Sequence, residues 1–319
     1  MNNSKHTCLL SLLLALVLFL SPAGMNPAQA AEGANPGEDT ALSSPRQAET
    51  ISAGTYHACA IQSDSTLRCW GDNTNGQITS PLGTFSQVSA GDSHTCAIRS
   101  DGTLACWGSN STGQATPPAG TFAQVSAGGN HTCGLKNDGV LICWGADGMG
   151  QATPPTGTLF TQVSAGDSHT CGIKSDGTLV CWGDNGSGQS TPPTGLFSQV
   201  SAGLYHTCGL KSDGTLACWG YDNYGQSNPP AGTFTQVSAG NVHTCGLRSN
   251  GTLACWGSNV FGESTPPGDA FTQVNANGNH SCGLKSDGTP VCWGDNSCGE
   301  SNPPTGTLFT QVSAGGYHT

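Results

Sequence analysis

The sequence predicts an all-β fold, a seven-bladed β-propeller built from 37–38-residue repeats. Three observations carry that reading. His57, His94, His131, His169, His206, His243, His280 and His318 recur every 37 or 38 residues, and Trp70, Trp107, Trp144, Trp182, Trp219, Trp256 and Trp293 keep the same beat. Between the markers lie short β-like stretches separated by Gly and Asx turns, with no helical period. Units of about 40 residues with four strands are the propeller pattern, and the count falls within the usual range of blades.

In chain order, residues 1–30 read as a signal peptide. Lys5 supplies the positive start, Leu9–Leu20 the apolar run, and Ala28-Gln29-Ala30 the small-x-small cleavage pattern. The run is too short to span a bilayer, so no membrane insertion is expected. Cys8 precedes it rather than standing at the cleavage point, which argues against a lipid anchor. Residues 31–48 are polar and aperiodic, and read as a disordered linker. Residues 49–319 form the propeller, the last repeat being incomplete. There the segment Phe309–Ala314 is expected to close the ring beside the first blade, a longer repeat array being the alternative.

One unit reads GTFTQVSAG, two variable residues, HTCGLKSDGTLACWG, a variable loop, then GQSTPP. Four strands are expected: FTQVSA, HTCGLK, TLACW and a brief stretch around GQS. In Lys211-Ser212-Asp213-Gly214-Thr215, Asp favours the turn and Gly takes the left-handed position. That closure sets Leu210 opposite Leu216 and Cys208 opposite Cys218. Alternation then puts His206, Cys208, Leu210, Leu216 and Cys218 on one face, with Gly209, Ala217 and Trp219 on the other. Each Trp beside small residues predicts packing between stacked blades.

The same register makes disulfides of Cys59/Cys69, Cys96/Cys106, Cys133/Cys143, Cys171/Cys181, Cys208/Cys218, Cys245/Cys255 and Cys282/Cys292. His-x-Cys plus the facing Cys is the competing metal reading, but no fourth ligand recurs, so no metal is expected. Cys298 is left unpaired, as a free thiol, an intermolecular link or a chance substitution. Charge is sparse and acidic, with 9% charged residues and a formal net charge of −11. No basic stripe offsets it, which excludes nucleic acid as a partner.

The run V-S-A-G-x-x-H-T-x-x-L-x-x-D-G-x-L-x-x-W-G-x-N-x-x-G-Q resembles the repeat of the regulator-of-chromosome-condensation family over residues 49–319. That resemblance implies a seven-bladed propeller. Its founding activity, guanine-nucleotide exchange on a nuclear GTPase, does not suit a signal peptide, acidic charge and disulfides. Cys-rich extracellular repeats of plant receptor kinases look similar as well, and so do secreted members that inhibit β-lactamases through aromatic loops. Their shared theme is protein binding.

Strand parity sends the loops after the first and third strands to one face, and those loops differ between repeats. Tyr56, Leu204, Tyr205, Tyr221, Tyr224, Val242, Val260 and Phe261 lie in them. All but Tyr56 are expected on three consecutive blades, as the binding sector for an unidentified protein ligand. Asp72-Asn73 and Asp184-Asn185 suit Asx turns better than calcium loops. The repeated His, present in every unit, points to a shared structural duty rather than catalysis. No catalytic residue and no cofactor is expected. The reading is a secreted or periplasmic, non-enzymatic binding propeller, with a structural or cell-surface display domain as the alternative.

Overall fold

Each blade grows from the hairpin that its turn dictates, Ser-Asp-Gly in four blades and Ser63-Asp64-Ser65, Asn137-Asp138-Gly139 and Ser249-Asn250-Gly251 in the others. In the computed structural model, Gly214 has φ +83°, and Lys211 N–H donates to Thr215 O at 2.8 Å. Asp213 Oδ1 accepts from both the N–H (2.9 Å) and the hydroxyl (2.7 Å) of Thr215. The middle strand His206–Lys211 therefore meets the outer strand Leu216–Gly220 with Cys208 facing Cys218 and Leu210 facing Leu216. An inner strand, Phe197–Ala202, completes the antiparallel blade. Seven such three-stranded sheets follow one another, from Ile51–Ala53, His57–Ile61 and Leu67–Gly71 to Gln273–Asn277, His280–Leu284 and Pro290–Gly294. The structure describes residues 51–297, 299–303 and 308–319. The expected leader, linker and Cys298 lie outside these.

The fourth strand expected around Gly-Gln-Ser is not there. The segment turns instead, and its Gln is buried. Gln189 Oε1 accepts from Ser187 N–H and its Nε2 donates to Asp184 Oδ2, both at 2.8 Å. With its hydrogen bonds spent on closing its own loop, and prolines following, the segment has little to offer a ladder.

Packing between blades follows the predicted two-faced pattern. Cys208, Leu210, Leu216 and Cys218 of one blade contact Phe234, Val237, Ala254 and Trp256 of the next. Phe197 and Trp219 of the same blade, edge to face at 6.4 Å, receive the preceding blade's Cys171, Ile173 and Leu179. A Cβ at Gly209 would stand 2.6 Å from the Phe197 ring, so the alanine that blades 1 and 2 carry at this position (Ala60 and Ala97) fits here only if that ring moves.

All seven expected Cys pairs are bonded, namely Cys59–Cys69, Cys96–Cys106, Cys133–Cys143, Cys171–Cys181, Cys208–Cys218, Cys245–Cys255 and Cys282–Cys292, with Cα–Cα 4.0–4.1 Å. Register treats the two members of a pair alike, and there the structure differs. The middle-strand members Cys59, Cys96, Cys133, Cys171, Cys208, Cys245 and Cys282 are fully buried. Their outer-strand partners Cys69, Cys106, Cys143, Cys181, Cys218, Cys255 and Cys292 are only half-buried, although each packs against the same junction. The missing fourth strand is the reason. It leaves the third strand as the edge of the blade, covered on one side only.

The inner strands line a central channel and grip one another through side chains. Val200 N–H donates to Gln162 Oε1 and Ala202 N–H to Ser164 Oγ, each at 3.0 Å. At the seam, Val312 and Ala314 donate in the same way to Gln273 and Asn275 of blade 7. Ile51 and Ala53 donate in turn to Gln311 and Ser313. Residues 308–319 contain no strand, so the expected closing strand is an inner segment tied on by side chains rather than by a ladder.

Candidate functional site: the variable face

The repeated histidines are accounted for inside the disc. Thr244 has one hydroxyl proton, given to Gln226 O at 3.1 Å. His206 Nε2 therefore donates to Thr244 Oγ1, at 2.8 Å. The same Gln226 carbonyl accepts Trp256 Nε1–H at 2.9 Å. His206 thus reaches the next blade, whose Thr and Trp reach back to the loop of the His206 blade. His57, His94, His131, His169 and His243 start equivalent relays, with Ser281 replacing Thr for His243. His280 reaches Thr319, which donates to Glu300 O at 2.5 Å. Nδ1 of each is left as a buried lone pair without a partner. Protonating it would bury a charge, so burial pushes His206 down to about 3 and His131 down to about 4. These rings are neutral struts.

The variable loops are positioned by that frame. The loop after the inner strand turns at Gly203, where a side chain would strike Gly240 O at 2.4 Å. Tyr221 N–H then donates to Tyr205 O at 2.9 Å, fastening the loop that leaves the outer strand to its neighbour. In blade 5 three rings meet: Tyr205 and Tyr224 each stand edge to face against Tyr221, both at 6.3 Å. Asn223 Nδ2 donates to the Tyr221 hydroxyl at 2.9 Å. Tyr205 is 42% exposed and Tyr224 52%, with Phe261 at 49% and Val260 at 74%.

Several placements depart from the expectation. The aromatic sector occupies two blades, not three, because each exit loop belongs to the blade whose outer strand it leaves. Leu204 and Val242 are half-buried, and Leu204 lines the channel mouth. Among the described residues Phe261 makes no ring contact with the tyrosine cluster. Tyr56 lies apart from it, stacked on Tyr317 at 5.6 Å across the seam. That second aromatic pair was invisible to strand parity, since it depends on how the ring closes.

The channel opens on this face as a cavity of about 380 Å³ lined by Ser, Ala and Gly, with Asp92 and Asp167 at its mouth. Thr55 Oγ1 donates to Asp92 Oδ1 at 2.6 Å. Burial raises the Asp92 carboxyl above its usual range, that hydrogen bond lowers it, and Asp167 raises it further. The exit-loop aspartates serve their own turns. Asp72 accepts from Thr74 and Gln77, and Asp184 from Gly186 and Gln189. Among the described residues no cluster of three or more His, Cys, Asp and Glu side chains could hold a metal.

Fold and face together define a disulfide-stapled β-propeller with one constant and one variable side. The chain belongs to the family of the Regulator of chromosome condensation (RCC1) repeat, matched at residues 49–77, 85–114, 122–151, 160–189, 197–226, 234–263 and 271–300. It is similar to the ectodomain of the Physcomitrella patens receptor kinase CR4, with 28% identity over 76% of this chain and 73% of that one, TM-score 0.65. The ectodomain of the Arabidopsis thaliana receptor kinase ACR4 shares 27% identity over 76% and 94%, TM-score 0.62. Prp20p of Saccharomyces cerevisiae shares the fold, at 18% identity over 72% and 80%, TM-score 0.60. No curated protein matches the chain by sequence.

Proposed function

We propose that the chain is a secreted, non-enzymatic propeller that binds a protein through its variable face. The observation that carries this is the cluster in which exposed Tyr205 and Tyr224 flank half-buried Tyr221, held by loops in a molecule whose other aromatics are largely spent on packing. Tyrosine offers large, rigid contact area with a polar tip, which suits an interface. Similarity to two receptor ectodomains supports an extracellular setting, and seven disulfides suit an oxidising one. The commitment of the histidines to junctions supports a role without catalysis.

The test is capture of a partner from extracellular fluid, followed by affinity measurement on the combined variant Tyr205→Ala, Tyr224→Ala and Phe261→Ala. The expected result is loss of binding by roughly tenfold or more, as for interface anchors. The melting temperature should hold. Binding that survives the triple variant would remove the variable face as the interface. Failure of the unaltered protein to retain any partner would favour a display domain.

A further inference from the structure

The two faces of the disc differ in charge as much as in sequence. Arg99, Lys136, Lys174, Lys211, Arg248 and Lys285 all stand next to the turns of the constant face. Five of the six have a partner there, Lys136 lying 6.0 Å over the ring of Phe122. Lys285 pairs with Asp269 at 3.0 Å and Lys174 with Asp176 at 3.5 Å. The guanidinium groups of Arg99 and Arg248 lie 5.2 and 4.9 Å over the rings of Phe85 and Phe234. The one other cation among the described residues, Arg68, sits on the outer strand of blade 1.

The variable face therefore has no basic side chain among its described residues. It carries Asp92 and Asp167 at the channel mouth, and Asp72, Asp147, Asp184, Asp222 and Asp295 at the starts of the exit loops. The hydrogen bonds these carboxylates accept come from uncharged groups. Asp222, for example, takes Ser227 N–H and Asn228 Nδ2. Their charge is left for something outside the chain to answer. Asp222 also lies between Tyr221 and Tyr224, so negative charge and exposed ring faces share one loop.

We propose that the variable face docks a lysine- and arginine-rich protein surface, with Tyr205, Tyr221 and Tyr224 as the stacking platform. Asp222 and the channel-mouth pair Asp92 and Asp167 supply the counter-charge. The inference rests on the protein-binding reading above and names the chemistry of the partner. Cationic groups are attracted to the faces of aromatic rings, and opposed potentials steer and align two surfaces. The constant face shows the same pairing within the chain, where Arg99 and Arg248 cover phenylalanine rings. A polyphosphate or an acidic protein would meet repulsion here.

The experiment titrates the full chain with a fluorescent decapeptide of alternating lysine and glycine, and with its glutamate counterpart, at low and high salt. The lysine peptide should bind and the glutamate peptide should not. Tyr205→Ala with Tyr224→Ala should weaken the lysine peptide by about tenfold, in keeping with hot-spot residues. Asp92→Asn with Asp167→Asn and Asp222→Asn should weaken it and flatten its salt dependence. Asp64→Asn with Asp213→Asn on the constant face should change nothing, and thermal melts check that every variant folds. Equal effects from the two faces, or equal binding of both peptides, would overturn the proposal. A captured partner that needs Tyr205 and Tyr224 but ignores salt and the Asn variants would overturn it too, while leaving the protein-binding reading intact. Independence from the tyrosines would sink that reading as well.

Discussion

The junctions between blades and the loops of the variable face obey opposite rules. At a junction each residue answers to two blades. The Gln226 carbonyl takes protons from both Thr244 and Trp256, and His206 spans to Thr244. Replacing any one of them strands a buried polar group. On the variable face the fixed obligations are the Gly that admits the turn and the Gln that closes the exit loop, so the remaining side chains are free to differ. The seam tests this logic inside the molecule. Blade 1 has Ala58 where other blades place Thr or Ser beside the His, and Arg68 where others carry Ala, Ile or Val. Among the described residues Trp70 has no carbonyl partner like those of the six later indoles.

The largest expected effect on the junctions is collective and comes from pH. The histidines ordinarily titrate near 6.5, and burial holds His94, His206 and His243 at about 3 and His57, His131, His169 and His280 at about 4. Unfolded chains take up these protons first as pH falls. The stabilisation from neutral burial is therefore complete above pH 6.5 and is lost as pH drops through the window down to about 4 and 3. Thermal melts at pH 7 and 4.5 should show a marked loss at the lower value. A flat profile would mean that the rings are not buried neutral.

Next in size is the staple. Cys208→Ala with Cys218→Ala should cost about 2–3 kcal/mol in urea unfolding, since the closed loop is short. Thr244→Val comes third. It leaves His206 Nε2–H buried without an acceptor and should cost about 1–3 kcal/mol. A Thr244→Val variant as stable as the unaltered protein would remove the relay from the junction. Smallest is the effect of loop substitution on folding. Tyr224→Ala should shift stability by no more than about 0.5 kcal/mol, and a larger loss would make that ring part of the frame.

Much of the frame was legible because β-structure alternates with a period of two and the turn fixes its phase. Ser212-Asp213-Gly214 alone places Cys208 against Cys218 and separates the sulfur face from the Trp face. The absent fourth strand was not legible, and with it the unequal burial of the two sulfurs in each pair. Gly-Gln-Ser has strand-like neighbours, and only the structure shows its hydrogen bonds going to its own loop and to the next blade's Trp and Thr. The Thr after each His was the overlooked signal, since it marks the relay's middle position. Loop aromatics were readable as exposed, but not their grouping. Tyr205, Tyr221 and Tyr224 meet because two loops of one blade are fastened together, whereas Tyr56 and Tyr317 meet through ring closure.

Hydrogen exchange on the protein with and without its captured partner locates the interface on one face or the other. New protection is expected in the loops at residues 203–206, 221–226, 240–242 and 258–262, with the Ser-Asp-Gly turns unchanged. Protection centred on those turns, such as Ser212–Gly214, with the tyrosine loops unaffected would place the interface on the wrong side of the disc and contradict the variable-face reading.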